Sequence, residues 1–101
     1  MDEGIGEVLA TLDELGLRGE TLVIFTSDNG GLTQRYGKHD GFTENLPLRR
    51  GKGSAYEGGV RVPAFVVWPS RISRAREVDI PCVTSDYFPT ILDAIGEDLP
   101  L

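Results

Sequence analysis

Between Asp2 and Leu17, apolar residues recur at Ile5, Val8, Leu9, Leu12 and Leu15, three and four positions apart, with acids between them. That spacing predicts an amphipathic helix over 2–17, with Gly16 and Gly19 bracketing its end. From Thr21 to Thr26 the chain is almost uniformly apolar, the pattern of a short strand covered on both faces. A helix feeding such a strand through a short loop is an α/β unit. Val60–Trp68 predicts a second strand. Pro63, which has no N–H for a ladder, marks that strand's start, a bulge or an edge. Residues 69–82 are polar and basic, punctuated by Pro69 and Pro81, and predict a surface connection. Ser85–Ile95 predicts a second helix, with Ser85 or Thr84 as N-cap, Asp86 in the first turn, Pro89 near the start and Gly96 at the end. The class is α/β, a mainly parallel sheet flanked by helices. It is incomplete, because two helices and two strands give only part of the cover such a sheet needs.

Residues 27–59 have no such period and are rich in glycine, charge and turn formers. Loops beyond about 12–15 residues are uncommon in compact domains and tend to be functional. This one follows directly on the first strand, and in open α/β sheets ligands bind beyond the carboxyl ends of strands. Asp28 and Asn29 stand there, one carboxylate and one neutral carbonyl, a pair suited to a hard cation such as Ca²⁺ or Mg²⁺. The same Asp-Asn-Gly-Gly run is also an ordinary turn composition.

Composition narrows the classes. The chain has 101 residues, 40% hydrophobic and 26% charged, enough for one small core. A net charge of −6 and a pI near 4.6 argue against nonspecific nucleic-acid binding. The single cysteine, Cys82, excludes an intrachain disulfide. No apolar run approaches the roughly 20 residues of a membrane span. The acidic opening Met-Asp-Glu-Gly-Ile-Gly-Glu does not read as a signal peptide.

A second polar segment runs from Pro47 to Pro63, with Lys52 between Gly51 and Gly53. Flanking glycines let the backbone approach a ligand closely, and lysine acts as a point charge toward phosphate or sulfate. The alternative is a solvated basic loop balancing an acidic chain. A P-loop is excluded, since Gly53 follows Lys52 where Ser or Thr is required and Leu46 stands at the first glycine position. Gly4-Ile5-Gly6 lacks the preceding strand and third glycine of a dinucleotide fingerprint. His39, the one histidine, has only Asp40 beside it and no partner that would give it a mechanism. Cys82 has no basic neighbour to lower its pKa and reads as a structural thiol.

Taken together, Phe25-Thr-Ser-Asp-Asn-Gly-Gly31, Gly51-Lys-Gly-Ser-Ala-Tyr-Glu-Gly-Gly-Val-Arg-Val-Pro63 and Trp68-Pro69 closely resemble the sulfatase family. Asp86–Asp93 is similar to the family's following helix, and the resemblance runs on to Asp98-Leu-Pro100. It implies an arylsulfatase-like sulfuric ester hydrolase with an alkaline-phosphatase-like fold. It also implies that Asp28 and Asn29 are Ca²⁺ ligands and that Lys52 contacts the sulfate group of an aryl or carbohydrate sulfate ester. Such a cation polarises a sulfate oxygen, and a lysine stabilises charge developing on the transferred group. Phosphoryl-transfer relatives in the same superfamily usually carry Asp-His here, so Asn29 favours one hard cation and tilts the choice toward sulfate.

The departures from the family pattern are equally specific. Sulfatases attack with a formylglycine made within Cys/Ser-x-Pro-x-Arg, well upstream of this region. Cys82 has Thr84 at the proline position and Asp86 at the arginine position, so it is not that nucleophile. The resemblance therefore implies that residues 1–101 are a single C-terminal portion, middle to late, of a catalytic domain whose nucleophile region is absent. Such a chain is expected to be inactive alone, and its full-length parent to be exported or periplasmic. Two alternatives remain open: a non-catalytic remnant or interaction fragment with weak cation binding, and a phosphodiesterase or phosphonate hydrolase of the same superfamily.

Overall fold

The computed structural model describes residues 1–33 and 41–98. The chain forms helix α1 (Asp2–Glu14), strand β1 (Val23–Thr26), a helical turn α2 (Glu57–Val60), strand β2 (Ala64–Val67) and helix α3 (Tyr87–Ile95). Short 3-10 turns at Arg18–Glu20 and Thr84–Asp86 precede β1 and α3.

Helix α1 ends as its glycine dictates. Gly16 takes φ +65, its N–H donates to Asp13 O at 3.0 Å, and Leu17 N–H donates to Leu12 O at 2.9 Å. This is the double closure that satisfies the last carbonyls of a helix. Gly96 closes α3 the same way, at φ 80 with Glu97 N–H on Leu92 O at 2.9 Å. At the other end of α3 neither Ser85 nor Thr84 caps. The Asp86 carboxylate instead accepts from Val83 N–H at 2.8 Å, the N3-to-N-cap bond of a capping box on the 3-10 turn that leads into α3.

The sheet differs from expectation. Among the described residues it has two strands, and they run antiparallel, with Val23 opposite Val67 and Thr26 opposite Ala64. A parallel pair needs a crossover that carries the chain back to the start of the first strand. Here the chain returns to the far end of β1 instead, where Gly30 N–H donates to Gly59 O at 2.9 Å. β2 therefore starts beside the residue where β1 stops. The second strand is also shorter than predicted, because Val60 closes the α2 turn and Pro63 falls before the ladder begins. Across the pair, Phe25 and Phe65 stand opposite, their ring centroids 6.0 Å apart.

The apolar stripe of α1 is only half covered. Ile5, Leu9 and Leu12 are half-buried, while Val8 is 60% exposed. An open apolar groove of about 420 Å³ lies between α1 and β1, lined by Ile5, Leu9, Leu12, Val23 and Phe25 among others. No apolar side chain is fully buried among the described residues.

Candidate functional site

The sites that are buried are made of backbone. Among the described residues only Gly30, Gly51, Gly58 and Gly59 are buried, and all four lie in the two segments that sequence singled out. At Gly51 a Cβ would run into Gly31 O and lie 2.7 Å from Thr33 Oγ1. At Gly58 it would run into Arg50 O and lie 2.7 Å from Arg49 O. No side chain fits between strands of backbone packed this closely, so glycine is required by contact rather than by φ.

Asp28 and Asn29 lie just past β1. Ser27 Oγ donates to Asn29 O at 2.9 Å, and Asn29 Nδ2 donates to Gly30 O at 3.1 Å. The side-chain amide is thereby oriented, with its carbonyl oxygen left as an acceptor. Asp28 is exposed and lines a cleft of about 640 Å³ together with Glu57, Arg61 and Tyr87. A carboxylate and an amide oxygen are hard donors and fit a hard divalent cation. They are two donors against the six to eight that Ca²⁺ takes, and no group of three His, Cys, Asp or Glu side chains gathers among the described residues.

Lys52 sits at the tip of a loop that closes on itself. Gly58 N–H donates to Arg49 O at 2.9 Å, and the Arg49 guanidinium lies 3.9 Å over the Tyr56 ring. Inside this closure, Ser54 donates to Gly51 O from both its N–H (3.1 Å) and its hydroxyl (2.8 Å). Lys52 itself is exposed, and its backbone N–H donates to Gly31 O at 3.0 Å. Gly31 and Lys52, far apart in the loop sequence, thus become neighbours through one backbone hydrogen bond.

Sequence reasoning missed Asn45. Its Nδ2 donates to Gly31 O at 2.9 Å, Arg50 O at 3.1 Å and Gly58 O at 3.0 Å. One residue therefore ties the segment carrying Asp28 and Asn29, the lysine loop and α2 together. The only signal in the sequence was an amide side chain within a long polar loop, which does not distinguish a clasp from a turn.

His39 and Asp40 lie outside the described residues. Cys82 is exposed, in the stretch between β2 and the final 3-10 turn, and lines the same cleft as Asp28. It is not packed as a structural thiol would be.

The family model described as Sulfatase matches residues 1–97. The chain is 48% identical over 102 residues to steryl-sulfatase of Mus musculus, which covers 99% of this chain and 16% of that protein. It is 41% identical over 100 residues to arylsulfatase A of Homo sapiens, covering 99% of this chain and 19% of the relative. Among solved structures it is similar to Ps i-CgsB, crystallised in complex with k-i-k-neocarrahexaose. The TM-score is 0.84 at 32% identity, over 98% of this chain and 21% of that one. The chain thus spans under a quarter of the length of the proteins it matches.

Proposed function

The chain belongs to the sulfatase family, and from that premise we propose that it supplies one wall of the active site of a calcium-dependent sulfuric ester hydrolase. In this reading Asp28 and Asn29 are two of the Ca²⁺ ligands, and Lys52 is the cation that holds the sulfate group. The observation that carries it is the Lys52 N–H to Gly31 O hydrogen bond of 3.0 Å, which keeps the lysine loop against the segment bearing the two oxygen donors. A hard cation bound there supplies Lewis-acid polarisation of a sulfate oxygen. Lys52 contributes a positive charge toward an oxygen that gains charge as the S–O bond breaks, an interaction stronger in the transition state than in the ground state.

The remaining Ca²⁺ donors and the formylglycine nucleophile belong, by family resemblance, to a part of a sulfatase that precedes this segment. The half-covered faces of α1 and β1 are the surfaces on which that part packs, and β1–β2 is the antiparallel margin of its larger sheet. The chain by itself is inactive, and its substrates are aryl or carbohydrate sulfates handled by the complete enzyme.

The test is to place residues 1–101 in human arylsulfatase A, in exchange for the segment they match, and to assay an aryl sulfate beside the isolated chain. Turnover by the chimera and none by the chain is expected. Turnover by the isolated chain, or a folded chimera without turnover, contradicts the proposal.

A further inference from the structure

Asn45 has no role in the reading above, yet it bonds to backbone in both of the segments that carry it. Its amide has two N–H bonds and faces three carbonyls, those of Gly31, Arg50 and Gly58, at 2.9–3.1 Å. At least one N–H is therefore shared between two acceptors. The Gly31 carbonyl accepts twice, from Asn45 Nδ2 and from the backbone N–H of Lys52. Arg50, whose carbonyl is the second acceptor, takes φ 65 without being glycine. A side chain in that left-handed region is strained, and the surrounding structure must offset the strain. Asn45 also fills the space beside the glycines. A Cβ on Gly31 would lie 2.6 Å from its Oδ1, and one on Gly51 would lie 2.9 Å from its Nδ2. With no buried apolar side chain among the described residues, hydrogen bonds and backbone contact are what hold this knot there.

We propose that Asn45 is a positioning residue that sets the place of Lys52 relative to Asp28 and Asn29, so that cation and sulfate are held by one rigid unit. This rests on the functional reading above and adds to it the residue that couples its two halves. The position demands a donor: Asp is the same size but would turn a carboxylate onto three carbonyls, and Ala would leave all three without the amide. A misplacement of about 1 Å in such a site costs on the order of 10² in rate.

The test is calorimetry on the arylsulfatase A chimera, titrated separately with Ca²⁺ and with inorganic sulfate. Calorimetry reports stoichiometry and Kd independently, so a merely structural defect lowers the bound fraction and leaves Kd in place. Asp28→Ala should raise chiefly the Ca²⁺ Kd, and Lys52→Ala chiefly the sulfate Kd, with a smaller linked change in the other. Asn45→Ala and Asn45→Asp should each raise both by about tenfold, and Asn45→Ser, which keeps one donor, should fall between them and the parent. Asn45 variants that leave both Kd values within about twofold, in a chimera that binds both ions, overturn the positioning role alone. A folded chimera that binds neither ion overturns the functional reading and this inference with it.

Discussion

The backbone N–H of Lys52 lies 3.0 Å from the carbonyl oxygen of Gly31, which makes a lysine and an Asp-Asn pair parts of one backbone knot. The contact needs Gly51 to have no side chain, since a Cβ there would occupy the place of that same carbonyl. Local glycine content, close backbone approach and the placing of a charged group are thus one relationship.

The glycines of the knot should be intolerant in a way that others are not. In the chimera, Gly51→Ala and Gly58→Ala should each lower stability by about 2–3 kcal/mol, read as a fall in melting temperature, because the new methyl meets backbone that cannot yield. Gly6, in α1 with nothing within 4 Å and outside the α1–β1 groove, is the control. Gly6→Ala should be neutral or stabilising by roughly 0.5–1 kcal/mol. Equal effects at Gly6 and Gly58 would contradict the close-packed knot.

The stack of Arg49 on Tyr56 at 3.9 Å closes the lysine loop through a ring face rather than through a hydroxyl. Tyr56→Phe should therefore leave exchange of the Gly58 amide unchanged. Tyr56→Ala should accelerate it several-fold, in keeping with a cation–π contact of roughly 0.5–1 kcal/mol. Hydrogen exchange of the peptide spanning 49–60 is the measurement, and a large effect of Tyr56→Phe would assign the closure to the hydroxyl.

The isolated chain should not melt cooperatively. A two-stranded sheet is marginal in water, and here no apolar side chain is buried among the described residues. Circular dichroism is expected to show helix without a sharp thermal transition, together with binding of a hydrophobic dye. A steep, reversible transition would show that α1 and the sheet form a core of their own.

Most of the local structure was legible in the sequence, and the reasons are particular. Ile5, Leu9 and Leu12 give α1 its period, Gly16 and Gly96 supply left-handed caps, and the apolar run before Asp28 gives β1. The direction of β2 was not legible, because an apolar strand reads the same whichever way it pairs. Contacts such as Gly30 to Gly59, which no periodicity encodes, set that direction. Asp28, Asn29 and Lys52 could be singled out from residue type, spacing and family resemblance. Asn45 could not, since its role depends on three carbonyls that only the folded loop assembles.

The central claim is that Asp28, Asn29 and Lys52 serve one site, and kcat/KM for an aryl sulfate in the chimera tests it most directly. Lys52→Ala and Asp28→Ala are each expected to lower it by about 10²–10³. The double variant should fall little further, as expected for groups that act as a unit. Two variants retaining parental kcat/KM, or losses that simply multiply, would contradict a shared site.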